Sequence, residues 1–188
     1  MDRYIAFDCE TGGIGTNHSL LTVWLAVLNQ DLNIIDSLDL RLKPNNGEPY
    51  SINPQALAVN RINLIEHDKV AVTLSEGGRQ LRELLYLHSN GGKLKLVPVG
   101  HNVVFDEIFI HEHLLNKKEW QKYVSYRHLD TGVIARYEIT KGRIPNTVSG
   151  SLTSLANHFN IEFSGKGAHD AQADTTVTID VLRALLKL

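Results

Sequence analysis

Acidic residues stand at three separated places in this chain, in settings that suit a shared metal site. Asp8 and Glu10 lie in an apolar run at residues 4–10, where a period-two alternation places both on one face of a strand. Asp106 falls at the start of a helical apolar pattern, and Asp174 heads the last predicted helix. If the fold joins these segments, four carboxylates converge on one point.

Such a cluster fits phosphodiester hydrolysis by two divalent ions, which hard oxygen ligands hold about 3.5–4 Å apart. Carboxylates suit Mg²⁺ or Mn²⁺, and without a cation their mutual repulsion would raise some of their pKa values. His169, five residues before Asp174, adds an imidazole that can accept a proton from water near neutral pH. The competing interpretations are unrelated surface acids and, for His169, a helix-capping or supporting role.

Three motifs in order resemble those of the DnaQ-like DEDDh family of 3′→5′ exonucleases. They read DCETGGI at 8–14, HNVVFD at 101–106 and HDAQAD at 169–174. The resemblance covers nearly the whole chain. It implies that Asp8, Glu10, Asp106 and Asp174 bind two Mg²⁺ or Mn²⁺ ions and that His169 is the general base.

The resemblance also implies a contact surface for the terminal nucleotide. Its residues would be Thr11, Gly12, Gly13, Ile14 and Asn102. The glycines would let the backbone approach the nucleotide, and Ile14 would touch its base. Gly12 departs from the family, which commonly has threonine there, so any polar contact from that position is in doubt.

Three other features have competing interpretations. Gly13-x-Gly15 follows a strand as in dinucleotide-binding turns, but the pattern fails at His18 and the strand's acids would repel a pyrophosphate. Asp130 could be a fifth ligand, although capping of the next helix is favoured. The polar, basic segment 141–150 is expected to be a mobile loop, either a substrate-facing flap or an uninvolved surface loop.

Composition sets the class of protein. With 188 residues and 43% hydrophobic content, residues 1–188 are expected to form a single exonuclease domain. Because Cys9 is the single cysteine, an internal disulfide is excluded. Its side chain should be buried, since it points to the opposite face of the strand from Asp8. We expect no signal peptide and no membrane span, and a cytoplasmic location.

Net charge does not oppose nucleic-acid binding. The chain carries −2, and setting the four candidate ligands aside leaves +2 on the rest. Its basic residues form separate pairs rather than one long run, which argues against tight nonspecific coating of duplexes.

The order of elements predicts an α/β protein. Strands at 3–10, about 21–29 and about 34–43 should form an antiparallel meander, in which Trp24 packs in the core away from the motifs. Further elements follow in alternation: helices at 54–59, after Thr73 and at about 103–115, strands at 94–100 and near 126–130, and the final helices. The pattern predicts a five-stranded mixed sheet flanked by helices. With the resemblance, this becomes the ribonuclease H-like fold.

The function predicted is a metal-dependent 3′→5′ exonuclease that releases nucleoside 5′-monophosphates from single-stranded DNA or RNA 3′ ends. A proofreading subunit or domain partner of a DNA polymerase is the alternative, and a non-catalytic nucleic-acid-binding module is disfavoured because none of the four carboxylates is lost and the histidine is retained. A homodimer is suggested by the resemblance. Because the chain ends soon after the last helix, free-standing trimming is favoured over polymerase tethering.

Overall fold

A central mixed sheet organises the computed structural model, which describes residues 3–163 and 170–188. Its six strands lie in the order β4-β3-β2-β1-β5-β6. The strands are β1 Tyr4–Thr11, β2 Leu20–Leu28, β3 Ile34–Lys43, β4 Val72–Thr73, β5 Val97–Gly100 and β6 Leu129–Asp130. The predicted meander of β1, β2 and β3 is confirmed, since both of its pairings are antiparallel.

The sheet has one strand more than the sequence predicted. β4 is only two residues long and pairs in parallel with the end of β3, at Leu42 and Lys43. Two residues are too few to produce a period-two pattern, so this strand exists through tertiary pairing. β5 and β6 are parallel to β1 and to each other, as expected of strands joined through helices.

Helices cover both faces of the sheet. They are α1 Pro54–Asn60, α2 Leu64–Val70, α3 Leu74–His88, α4 Val103–His113, α5 Lys117–Trp120, α6 Thr131–Thr140, α7 Leu152–Phe159 and α8 Ala171–Leu185, with a 3₁₀ turn at Asn45–Gly47. One face packs against α3 and α4 around Phe7 and Phe109. The other packs against α8 around Trp24 and Ile179, and α8 in turn contacts α6 and α7.

Local signals explain where several helices begin. The Asn53 side chain accepts a hydrogen bond from the Gln55 N–H and Pro54 opens α1, as the sequence predicted. Thr73 caps α3 by accepting from the Glu76 N–H at 3.3 Å. The Glu76 carboxylate pairs with Arg79 at 2.6 Å, so it is engaged along the helix.

Two short helices were not predicted. α2 and α5 span seven and four residues, less than two turns and little more than one. Asn63 and Asn116 cap them by accepting backbone hydrogen bonds. Helices this short give almost no periodic signal, and only the capping asparagines could have revealed them.

Candidate active site

Three carboxylates from two distant parts of the chain meet at one end of the sheet. One carboxylate oxygen from each of Asp8, Glu10 and Asp174 lies within 4.8 Å of the other two. All three side chains are partly buried. The predicted convergence of the first and third motifs is therefore present in the fold.

Strand alternation and a helix start produce this meeting. Asp8 and Glu10 alternate with the buried residues Phe7 and Cys9, so both point to the face of β1 that α8 covers. Asp174 lies in the first turn of α8. Its position on that turn brings it over the end of β1.

Asp170 fixes the start of α8 and belongs to the same acidic group. Its side chain accepts a hydrogen bond from the Ala173 N–H at 3.2 Å, the geometry of an N-cap. It also raises the pKa of Glu10 by charge repulsion. Sequence reasoning passed over this residue, although it stands inside the third motif.

Asp106 approaches the cluster from the other face of the sheet, where it lies in the first turn of α4. Its Oδ1 accepts a hydrogen bond from the Cys9 N–H at 2.9 Å, and the side chain is buried. β5 pairs with β1 only as far as Ala6, so the sheet leaves the Cys9 amide without a partner strand. Asp106 thus satisfies this amide while lying close enough to Asp8 to raise its pKa.

The electrostatics of the cluster oppose full ionisation. Burial and repulsion from Asp106, Glu10 and Asp174 hold the pKa of Asp8 well above its ordinary value. Burial, then repulsion from Asp174 and Asp170, raises the pKa of Glu10 to about 8. Burial raises the pKa of Asp106 to about 7, against the stabilising hydrogen bonds from Cys9.

These properties fit a divalent cation. The donors are hard carboxylate oxygens close enough to share an ion, which is the chemistry that Mg²⁺, Mn²⁺ and Ca²⁺ prefer. A bound cation would offset the repulsion that raises the carboxylate pKa values. Asp8, Glu10, Asp174 and the adjoining Asp106 are therefore the residues that could hold it.

The prediction for Trp24 is right about packing and wrong about location. Its side chain is buried, with 6% exposed, against the α8 residues Ala171 and Ile179. However, Trp24 is the cross-strand partner of Asp8 in the register of β1 and β2. The antiparallel register places it beside the first motif, which a reading of β2 alone could not show.

The turn after β1 is built by close contacts of its own backbone. A Cβ atom on Gly12 would lie 2.4 Å from the Ser51 carbonyl oxygen, so the segment before α1 occupies the space that a larger residue would need. The Thr11 hydroxyl donates to the Gly13 carbonyl at 2.7 Å. Ile14 is 86% exposed at the tip of the turn, open to any ligand.

The departure at Gly12 thus has a structural reason. Ser51 packs against the turn, and the Asn53 N–H donates to the Gly12 carbonyl at 2.6 Å. Threonine at this position would collide with that segment. The contact with the terminal nucleotide stays a prediction for the turn as a whole.

Asn102, in the second motif, and Asp130, at the end of β6, have different roles. Asn102 adopts a left-handed backbone (φ 62°) before α4, and its exposed side chain makes no capping hydrogen bond. Asp130 accepts from the N–H groups of Gly132 and Val133, so the favoured capping role is confirmed. It also accepts from the Val103 N–H at 3.0 Å, which joins the starts of α4 and α6.

Two other predictions meet different outcomes. His169, the candidate base, lies outside the described residues. In segment 141–150, Ile144 is fully buried against Leu155 and Val177, so α7 and α8 hold this part of the loop. That packing agrees better with a surface loop than with a mobile flap.

No protein-family model matches this chain, and no curated protein matches it. Solved structures do match in fold. E. coli exonuclease I in complex with a dT13 oligonucleotide has a TM-score of 0.75 and 20% identity, over 99% of this chain and 41% of that one. The zinc-bound form of the E. coli exonuclease I complex with single-stranded DNA has a TM-score of 0.76 and 20% identity, over 100% of this chain and 40% of that one.

Exonuclease I from Methylocaldum szegediense matches as well, with a TM-score of 0.74 and 21% identity, over 100% of this chain and 40% of that one. This chain thus spans about 40% of the length of the exonuclease I chains that it matches. The likeness confirms the predicted fold class, a mixed sheet flanked by helices in the ribonuclease H-like arrangement of exonuclease I. Among the described residues, no helix is both long and apolar enough to span a membrane.

Proposed function

We propose that this protein is a metal-dependent 3′→5′ exonuclease that removes nucleoside 5′-monophosphates from single-stranded nucleic acid. The observation that carries the proposal is the meeting of Asp8, Glu10 and Asp174 within 4.8 Å at the end of β1. The first and third motifs supply these residues, the second motif adds Asp106 beside them, and the fold is similar to that of exonuclease I. Under this proposal the chain belongs to the DEDDh exonucleases, and residues 1–188 act as one exonuclease domain.

Substrate class is supported by what the similar proteins bind. E. coli exonuclease I is described in complexes with the single-stranded oligonucleotides dT13 and dA16. A terminal base must be splayed from its neighbour to enter a narrow site, which favours single strands. The exposed Ile14 at the tip of the turn suits contact with such a base.

In the proposed mechanism the carboxylates bind and orient. Asp8, Glu10 and Asp174, with Asp106 beside them, would hold two divalent ions, Mg²⁺ or Mn²⁺. Such ions stabilise the negative charge that develops on the phosphoryl oxygens during displacement. Asp106 has a second task, because its hydrogen bond to the Cys9 N–H fixes the end of β1 against α4.

His169 is proposed as the general base that accepts a proton from the attacking water. Its sequence neighbour Asp170 caps α8, the helix that carries Asp174. An imidazole is suitable because its ordinary pKa lies near neutral pH. The proton would go to the ring nitrogen that faces the water.

The direct test is digestion of single-stranded DNA and RNA of matched sequence, labelled at the 5′ end, with Mg²⁺, Mn²⁺ or EDTA. We expect stepwise ladders that shorten from the 3′ end, a block by a 3′ phosphate, and no cleavage in EDTA. Comparing the two substrates would give the sugar preference. Rapid cutting of a closed circular single strand would show an endonuclease and overturn the proposal.

Replacing His169 separates its role from that of the ions. We expect His169→Ala to slow single-turnover hydrolysis by roughly 10²–10⁴-fold while metal and oligonucleotide binding persist. His158→Ala, in the last turn of α7, is a matched control that should leave turnover unchanged. Equal rates for His169→Ala and wild type at saturating Mg²⁺ would exclude the histidine as the base.

The alternatives differ in how they fit the site. A non-catalytic binding module has no use for carboxylates whose pKa values are raised by burial and mutual repulsion. A polymerase partner and a homodimer stay predictions from sequence resemblance. Because the chain spans about 40% of exonuclease I, no property of the remaining parts of that enzyme is transferred to it.

A further inference from the structure

A cavity of about 540 Å³ opens directly beside the acidic cluster. Its volume lies within the range of roughly 300–1,000 Å³ that is typical of small-molecule sites. Glu10 and Asp170 line one side, and the connection between α1 and α2, residues 60–63, lines another. The proposed chemistry uses the acidic side and leaves the other sides of this cavity unexplained.

The strand register also brings Arg41 to the cavity, with Asp39 beside it. Glu10 pairs with Thr22 across β1 and β2, and Thr22 pairs with Arg41 across β2 and β3. Directly opposed residues point to the same face, so all three lie in one row. Two strand spacings put the Arg41 backbone about 10 Å from that of Glu10.

Arg61 is the second cation of the cavity, and it has no described partner. Its side chain forms no ion pair or hydrogen bond with residues 3–163 or 170–188, whereas Arg41 has an ion pair to Asp39 at 3.6 Å. Its backbone is left-handed (φ 58°) at the end of α1. Glycine or asparagine is usual at such a position, so an arginine there has a conformational cost.

Hydrogen bonds hold Arg61 in place relative to the acidic cluster. The Asn60 side chain donates to the Thr11 carbonyl at 3.2 Å, and Asn60 is buried with 9% exposed. Its Oδ1 accepts from the Ile62 N–H at 3.1 Å. The residues on both sides of Arg61 are thus fastened to the end of β1, the strand that carries Glu10.

We propose that Arg61, assisted by Arg41, binds a backbone phosphate of the substrate strand next to the phosphate that is hydrolysed. This inference rests on the proposed exonuclease function. A strand entering the site meets several carboxylates, and cations beside them offset the repulsion of its neighbouring phosphate. The guanidinium fork matches phosphate oxygens, and the free group of Arg61 makes it the stronger contact.

The test measures binding as a function of salt concentration. A short 5′-fluorescein oligothymidylate is titrated with Mg²⁺ present into Asp8→Asn protein, which prevents turnover, with and without Arg61→Gln. We expect Arg61→Gln to weaken binding about tenfold and to reduce the slope of log affinity against log salt by about 0.7, the value for one phosphate contact to a single strand.

Matched variants identify the cause of the change. Arg61→Lys keeps the charge and should retain most of the slope. Arg136→Gln removes an exposed arginine from α6, away from the cavity, and should change neither affinity nor slope. Arg61→Asn serves if the glutamine variant folds poorly, because asparagine tolerates the left-handed backbone better.

Kinetics in the otherwise wild-type protein give a second measurement. Arg61→Gln should raise KM about tenfold while kcat stays within about twofold, since Arg61 contacts a phosphate that does not react. Unchanged KM and salt slope, in protein that still digests DNA, would overturn the proposal for Arg61 and leave the exonuclease intact. If the wild type neither digests nor binds the oligomer, the proposed function itself fails.

Discussion

The two faces of β1 have opposite effects on the folded protein. Ile5, Phe7 and Cys9 point to the α4 face and are buried in the main apolar core. On the other face, Asp8 and Glu10 point towards α8 and meet Asp174. Since successive residues of one strand produce both faces, period-two alternation alone separates a stabilising surface from an acidic one.

The difference shows how the protein keeps a repelling site in a defined shape. Burial and repulsion raise the pKa values of Asp8 and Glu10, which means that their charged forms are disfavoured in the fold. The apolar face compensates: Phe7 has 1% of its surface exposed and meets Trp120 edge-to-face with ring centroids 5.6 Å apart. Four predictions test this difference between the apolar and the acidic residues.

The largest expected effect concerns the acidic face. Asp8→Asn should lower exonuclease turnover by roughly 10³-fold or more, because it removes a candidate ligand of the ions that stabilise the transition state. Its free energy of unfolding without metal should stay equal or rise, since one repelling charge is gone. Single-turnover digestion and urea unfolding in EDTA measure the two quantities.

Asp31→Asn is the matched control for this prediction. Asp31 is exposed in the turn between β2 and β3, at the opposite end of β1's pairing with β2. Its substitution should change neither turnover nor unfolding. Folded Asp8→Asn protein with near wild-type turnover would show that the acidic face is not the site of hydrolysis.

The apolar face should respond in the opposite way. Phe7→Ala should lower the free energy of unfolding by about 3–5 kcal/mol, because a buried aromatic is replaced by a cavity. Phe7→Leu should cost less, as it keeps more of the volume. Urea unfolding in EDTA checks both, and a loss below about 1 kcal/mol for Phe7→Ala would mean that this face does not support β1 as described.

Sequence patterns captured what depends on neighbours along the chain. The alternation of Asp8 and Glu10, the meander and the N-cap at Asp130 all follow from local rules, and all are present. The convergence of Asp8, Glu10 and Asp174 was expected from the motifs, and the structure brings the three together. These features share short sequence separation or a specific motif.

Features that depend on pairing between distant segments were not captured. The position of Trp24 beside Asp8 comes from antiparallel register, and β4 comes from two residues aligned with the end of β3. The need for Gly12 comes from Ser51, which lies close only after the chain folds back. The cavity with Arg61 likewise combines elements that are far apart in the sequence, from β1 to α8.

A smaller effect should appear in the pH dependence of stability. The pKa of Glu10 rises from 4.5 to about 8 in the fold, so the folded state holds a proton that the unfolded state has lost across this interval. Its contribution to stability is therefore fully present below about pH 4.5 and is lost as pH rises to about 8. In EDTA, the advantage of Glu10→Gln over wild type should grow from pH 5 to pH 8.

Urea unfolding of the two proteins at both pH values measures this difference, and the subtraction removes contributions from titratable groups that do not interact with Glu10. Saturating Mg²⁺ should suppress it in the wild type, because a bound cation favours the charged carboxylates. A constant difference across the interval in EDTA would mean that Glu10 is not held protonated by its surroundings.

The smallest effect separates a structural acid from the acidic cluster. Asp130 stands at the end of β6 and caps α6 through the Gly132 and Val133 N–H groups, with a further bond from the Val103 N–H. Asp130→Ala should cost about 1–2 kcal/mol of stability, as capping losses do, and should leave the Mg²⁺ concentration for half-maximal activity unchanged. Asp130→Asn, which can still accept hydrogen bonds, should cost less. Urea unfolding and a Mg²⁺ titration of activity measure both quantities; a large increase in the Mg²⁺ requirement of Asp130→Ala at unchanged stability would assign Asp130 to the metal-binding face instead.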